Sequence, residues 1–261
     1  LTGLRPIGEI MYIDFTTIAS DQIVNQAAKM RYMFGGEAKL PLVIRTMIGA
    51  GTRSSGQHSQ SLEAWYCHIP GLKVVMPSTP YDAKGLLKAS IRDDNPVVFC
   101  EDKLMFKMTG PVPAEEYTIP FGVADIKRAG KDITIVATSS MVQVALSAAK
   151  MLDEIGISAE VIDPRTTFPL DKQTLIESAK KTSRVIVVDE GYERYGVTAE
   201  IASVIADGAF YYLDAPVKRL GAMDVPVPFS PALEDLTVPT EQSVFAAAKA
   251  LCRKTWGEYI A

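Results

Sequence analysis

Histidine, tryptophan and cysteine are scarce: two, two and three residues in a chain of 261. Cys67, Cys100 and Cys252 lie far apart with no CxxC spacing. That pattern argues against a disulfide frame or zinc site and for reduced thiols in an intracellular protein. Long apolar runs are missing too. Stretches such as Ile133-Thr134-Ile135-Val136-Ala137 are strand-length, far short of the roughly 20 residues of a membrane span. The net charge is −4 and no basic stripe interrupts it, so nucleic acid is a poor partner. The glycine-rich GAGTRSSG at 49–56 is not a GxGxxG fingerprint, because no helix follows at the right spacing. No GxxxxGK[ST], HExxH or GxSxG is present either, which leaves P-loop, zinc-protease and α/β-hydrolase chemistry without an anchor. The first residues, Leu1-Thr2-Gly3-Leu4-Arg5-Pro6, include no initiator Met and match no targeting sequence.

What is present is an ordinary globular composition, 48% apolar and 22% charged, long enough for one large core or two modest ones. Ser20 or Asp21 can cap a helix through Met33, with Gly35-Gly36 as its stop. Pro41 to Arg45 and Lys73 to Met76 read as buried strands. Thr79-Pro80 opens a helix, with Thr79 as N-cap, Pro80 at its first position and Asp82 near the dipole. Asn95-Pro96 ends that helix and Val97 to Cys100 is the next strand. Residues 103–120, rich in Pro, Lys and Glu, read as a connecting arm. Strands at Asp132–Ala137, Ala159–Ile162, Arg184–Asp189 and Val217–Leu220 then alternate with helices at Ser140–Ile155, Leu170–Lys180, Val197–Ala206 and Thr240–Arg253. Strand, helix, strand in sequence specifies an α/β protein with parallel sheets buried on both faces.

His58 is the leading candidate for chemistry. It sits on a loop after an apolar strand, where open α/β sheets place ligands. Gly49, Gly51 and Gly56 on the approach allow close contact, and histidine is the side chain best suited to proton transfer near neutral pH. By the same pattern, a lone histidine can be a structural loop residue. His68, before Ile69-Pro70-Gly71, reads as a helix-end residue. Met11, Tyr12, Ile13 and Phe15 form an apolar, aromatic patch that by pattern alone is core packing. Asp163-Pro164-Arg165-Thr166-Thr167 and Asp189-Glu190-Gly191 follow strands, at carboxyl ends where ligands or partners bind; they can equally cap helices or line a domain interface, and the interface is the favoured reading.

The segments GLRPIGEIMYIDF, KMRYMFGG, IRTMIGAGTRSSGQHSQ, HIPGLKVVMPSTPYDAKGLL, IRDDNPVVF, IDPRTTFPLD, VVDEGYERYGV and LDAPVKR…VPVPFSPALED occur in this order. Together they resemble the β subunit of E1, the thiamine-diphosphate-dependent component of the 2-oxo-acid dehydrogenase complexes. In detail they look most like the acetoin dehydrogenase branch, with pyruvate dehydrogenase next. The resemblance implies a transketolase-like architecture. A parallel-sheet pyrimidine-binding domain, N-terminally incomplete and ending with the arm, would occupy 1–120. A C-terminal α/β domain would occupy 121–261.

It also implies an oxidoreductase that cleaves acetoin or pyruvate and passes the acyl group to the lipoyl arm of E2. The chain would work in the cytoplasm, within an α2β2 heterotetramer with a β–β contact. Thiamine diphosphate would be shared with the α subunit, which would hold its diphosphate and Mg²⁺. Phe15 would pack on the aminopyrimidine, Met11 would line the same pocket, and His58 would stand near the reactive carbon. Leu42, Ser90, Ile91, Asp93 and Asn95 match positions that bind K⁺ in some relatives, mostly through backbone carbonyls.

In the family, a segment preceding GLRP carries the glutamate that activates the aminopyrimidine, and Glu9 is a different position. Without that segment one edge of the first sheet is expected to lie open. A truncated, non-catalytic β chain that serves assembly with the α subunit or E2 is the alternative this implies. Another transketolase-superfamily enzyme ranks behind both.

Overall fold

The computed structural model describes residues 1–253; residues 254–261 of the expected second domain lie outside them. In chain order the strands are β1 Ile7–Tyr12, β2 Val43–Ile48, β3 Lys73–Val75, β4 Val97–Asp102, β5 Asp125–Arg128, β6 Ile133–Ala137, β7 Ala159–Asp163, β8 Thr166–Phe168, β9 Val185–Tyr192 and β10 Lys218–Ala222. The helices are α1 Ala28–Met33, α2 Glu63–Cys67, α3 Pro80–Arg92, α4 Met141–Asp153, α5 Lys172–Thr182, α6 Val197–Ala209, α7 Pro231–Glu234 and α8 Glu241–Arg253. Contacts divide the chain into two compact units. The first holds Leu1–Val123, Arg165–Leu170 and Pro226–Asp235; the second holds Ala124–Pro164, Asp171–Val225 and the residues from Leu236 on.

The sheet of the first unit runs β1-β2-β4-β3-β8, parallel except for β8, which is antiparallel to β3. Val97, Val98, Phe99 and Cys100 are consecutive and all fully buried. Apolar side chains on both faces of one strand require cover on both sides, as the uninterrupted hydrophobic run implied. In-register pairing from Val43↔Val97 to Ile48↔Asp102 brings the carboxyl ends of β2 and β4 level. The segment 103–120 stays with this unit. It opens with a 3-10 turn, Lys103–Lys107, and returns to bury Ile119 beside Leu86.

The second unit has the order β10-β9-β6-β7-β5, again with one antiparallel edge strand, β5. α4 and α8 cover one face through Val142, Ala145, Leu152, Val244 and Ala248. No helix among the described residues is long and apolar enough to cross a membrane.

Local chemistry explains where expectation and structure part. Thr79 caps α3 as its sequence demands, its Oγ1 accepting the Asp82 N–H at 3.0 Å with Pro80 in the first turn. The helix expected to be capped at Ser20 or Asp21 has no such cap. The chain enters it from a 3-10 turn, Ile13–Thr17, without an extended residue, and passes through a π-helical stretch, Gln22–Ala27, before α1. Ser20 Oγ instead donates to the Thr16 carbonyl and Asp21 accepts from Asn25.

β1 was not expected as a strand. It is an edge strand with most of its residues exposed, so it lacks the apolar run of an inner strand. Asp189, Glu190 and Gly191 lie inside β9 rather than after it, Asp189 accepting from Gly191 N–H and Thr138 Oγ1. Arg165 bonds Asp82 at 2.9 Å and leads into β8, so the segment after Asp163-Pro164 extends the first sheet.

Candidate functional site

The carboxyl ends of β1, β2 and β4 lie side by side in the first sheet. Each delivers a side chain to the same place. β1 ends at Tyr12 and turns through the 3-10 segment that carries Phe15. The loop after β2 carries His58, and Lys103 follows β4 directly. The His58 ring stands edge-on to Tyr12, with centroids 4.9 Å apart at 76°, and edge-on to Phe15, at 5.0 Å and 79°. Tyr12 and Phe15 are themselves 6.2 Å apart at 68°. These are favoured edge-to-face arrangements. Lys103 Nζ donates to the His58 carbonyl and sits 5.3 Å from the Tyr12 ring centre. A half-buried imidazole thus rests against two aromatic rings, and an ammonium group holds its own backbone carbonyl.

Each part is held from behind. Thr16, after Phe15, is fully buried and its Oγ1 donates to the Ile13 carbonyl. Tyr66 donates to that Oγ1, and burial pushes its phenol pKa up, keeping the proton it donates. On the loop, His58 N–H closes a turn onto Ser55 carbonyl, and Gly49 N–H reaches Gln60 carbonyl. Buried Asp14 accepts from both the backbone and the side chain of Gln60. A register shift between Ile10 and Tyr12 leaves Met11 as the extra residue of a bulge. Bulges re-aim the residues beside them, and here the neighbour is Tyr12. The hydroxyls of Thr46, Ser59 and Ser61 are buried without a protein hydrogen-bond partner.

Phe15 and His58, both expected at the site, are brought together. Met11 is exposed on the β1 edge, one residue before Tyr12. The core-packing reading of this patch holds for Ile13, fully buried, and fails for Met11 and Phe15, which are 58% and 38% exposed. Tyr12 and Lys103 were not read as site residues. The signal that could have found them is position: both stand where a parallel strand ends. His68 caps the end of α2, as its sequence neighbours suggested. Glu9 pairs with Arg45 at 2.9 Å, and Arg45 also pairs with Glu101.

Leu42, Ser90, Ile91, Asp93 and Asn95 gather at the opposite, amino-terminal end of β2 and β4. Their donors do not fit a bound K⁺ as expected. Arg5 Nη1 donates to the carbonyls of Ile91 and Asp93 at 3.1 and 3.0 Å, while Nη2 pairs with Asp94 at 2.6 Å. Leu42 carbonyl accepts from Val97 N–H, Asn95 Oδ1 from Arg31, and the Asp93 carboxylate from Lys73 and Asn95. Burial pushes the Asp93 carboxyl up, but Lys73 and Asn95 outweigh it and hold the group below its usual range. A guanidinium supplies positive charge among these carbonyls.

Residues 1–108 match the family described as transketolase, pyrimidine binding domain, and residues 122–244 match transketolase, C-terminal domain. The chain is similar to the β subunit of acetoin:2,6-dichlorophenolindophenol oxidoreductase from Bacillus subtilis (strain 168). Identity is 53% over 243 residues, covering 93% of this chain and 71% of that one. The subunit of the same name from Cupriavidus necator is 52% identical, covering 95% and 73%. The pyruvate dehydrogenase E1 component subunit beta of Rickettsia felis is 49% identical, covering 96% and 77%. Among solved structures, a split gene transketolase described as an inactive β4 tetramer superposes with a TM-score of 0.76. Its identity is 25%, with 96% of this chain and 76% of that chain covered.

Proposed function

Since this chain belongs to the family of E1 β subunits, built from a transketolase pyrimidine-binding and a transketolase C-terminal domain, we propose that it is the β half of a thiamine-diphosphate-dependent oxidoreductase. In this reading it works with an α subunit in an α2β2 assembly with a β–β contact. It cleaves acetoin, with pyruvate as the second candidate, and passes the acyl group to the lipoyl arm of E2 in the cytoplasm. The observation that carries it is the His58 ring set between Tyr12 and Phe15 at the ends of parallel strands. The choice of acetoin is supported by the higher identity to the acetoin enzymes.

The residues present fit one half of the cofactor. An aminopyrimidine is flat and apolar on its faces and polar at its edge. Phe15 offers a partly exposed aromatic ring, and the buried hydroxyls of Ser59 and Ser61 offer polar partners without competing protein bonds. We assign Phe15 and Met11 to that ring, and the diphosphate with its Mg²⁺ to the α subunit. When bound, thiamine diphosphate supplies the electron sink that cleavage next to a carbonyl requires.

The chain's own residues do the rest. His58 gives and takes a proton at the substrate oxygen, beside the rings of Tyr12 and Phe15. Lys103 and Asp14 fix the loop so that the imidazole is in place before substrate arrives.

The protein should be combined with its α subunit and thiamine diphosphate, and reduction of 2,6-dichlorophenolindophenol followed with acetoin and with pyruvate. Faster turnover of acetoin supports the reading; faster turnover of pyruvate moves the assignment to that branch. Binding to α or E2 with no turnover of either would favour the assembly role instead.

A further inference from the structure

The loop that presents His58 is fastened by a residue far away in sequence. Glu234 ends α7, in the short segment Pro226–Asp235 that returns to the first unit. Its side chain is 1% exposed. One carboxylate oxygen accepts the Gly51 N–H at 2.7 Å. The other accepts the Arg53 N–H at 3.2 Å and Arg53 Nη1 at 2.9 Å. Arg53 Nη1 also pairs with Asp235 at 2.6 Å.

The backbone held this way is not one the loop would adopt unaided. Gly49, Gly51, Arg53 and Ser55 all have positive φ, from 58° to 100°. For Arg53 and Ser55 that conformation is strained and persists only where surrounding structure imposes it. The alternating left-handed residues turn the N–H groups of 51 and 53 toward one point, a concave nest that favours an anion. Glu234 fills it. A Cβ on Gly51 would lie 2.8 Å from Leu104 Cδ1, so the side chain of Leu104 packs close against this stretch of backbone. Val227 carbonyl closes on Gly56 from the same returning segment.

We infer that Glu234 is a positioning residue for His58: its buried carboxylate locks residues 51–53 and thereby sets the imidazole against Tyr12 and Phe15. The catalytic consequence rests on the function proposed above; the geometric consequence does not. A carboxylate is required because the Gly51 N–H, the Arg53 N–H and Arg53 Nη1 all donate to it, and only an acceptor on each oxygen satisfies them.

Glu234→Gln is the informative variant. It preserves volume and burial but turns one acceptor into an NH₂ group facing a donor. The chain has only two histidines, so ¹³C-labelled histidine gives two ring signals, assigned with His58→Ala. The His58 ring lies within about 5 Å of two aromatic rings, whose currents displace its resonance, whereas His68 ends α2. In Glu234→Gln the His58 signal is expected to move or broaden while that of His68 stays in place. With the α subunit present, kcat is expected to fall roughly 10-fold or more, with a smaller change in KM.

An unchanged His58 signal in folded Glu234→Gln would overturn the inference. A displaced signal with unchanged kcat would overturn the catalytic role of His58 and leave the positioning intact. If Glu234→Gln does not fold, Arg53→Met, which removes the guanidinium but keeps both N–H groups, is read in its place. A displaced His58 signal there would overturn the assignment, because the carboxylate–backbone lock survives in that variant, and an unmoved one would support it.

Discussion

Phe15 and His58 arrive from different strands and meet edge to face, 5.0 Å apart at 79°. The contact leaves Phe15 38% exposed. A ring so placed can pack on a flat ligand without being needed for the core. Phe15→Ala is therefore expected to leave the unfolding temperature nearly unchanged and to weaken thiamine diphosphate roughly 2- to 12-fold. Titration of cofactor-dependent dye reduction in the presence of the α subunit measures it.

Arg5 provides the second prediction. Its guanidinium bridges Ile91, Asp93 and Asp94 at the amino end of the sheet. Potassium in place of sodium at equal ionic strength should not shift the unfolding temperature of the wild-type protein. Arg5→Ala should lower that temperature by about 2–6 °C. Specific stabilisation of the wild type by potassium would contradict the substitution of a metal ion by this side chain.

Asp93 gives a pH dependence. Its folded pKa lies below its ordinary value through Lys73 and Asn95, despite burial. A depressed carboxyl stabilises the fold above the unfolded pKa of about 3.9 and loses that contribution as pH falls through the folded value. Thermal unfolding should find Asp93→Asn less stable than wild type at pH 7, with the gap closing below about pH 4.

Gly71 tests the packing at the amino-terminal end of the first sheet. Its φ is +103°, and a Cβ there would lie 1.9 Å from the Ala28 carbonyl oxygen. Neither atom belongs to a flexible side-chain tip. Gly71→Ala should cost about 2 kcal/mol or more, measured by urea unfolding.

What could be read from sequence divides along physical lines. Inner strands such as Val97–Cys100 announce themselves because burial on both faces forces consecutive apolar residues. The α3 start at Thr79-Pro80 was legible because capping is local chemistry. The edge strand Ile7–Tyr12 was not, since it borrows its hydrogen bonds from one neighbour and keeps an exposed face. The three-residue β8 exists only because Arg165 and Thr166 meet β3 and Asp82, a relationship across about 80–90 positions. His58 stood out by its loop and by the rarity of histidine. Its lock, Glu234, carries no local mark, because the carboxylate gains its meaning only when Gly51 and Arg53 fold onto it.

The most direct test of the account is the effect of His58→Ala on thiamine-diphosphate-dependent reduction of 2,6-dichlorophenolindophenol by acetoin, with the α subunit present. The account predicts cofactor-dependent reduction by the wild type and a loss of roughly 10²- to 10⁴-fold in the variant, with α-subunit binding retained. Normal turnover in His58→Ala, or reduction independent of thiamine diphosphate, would contradict it.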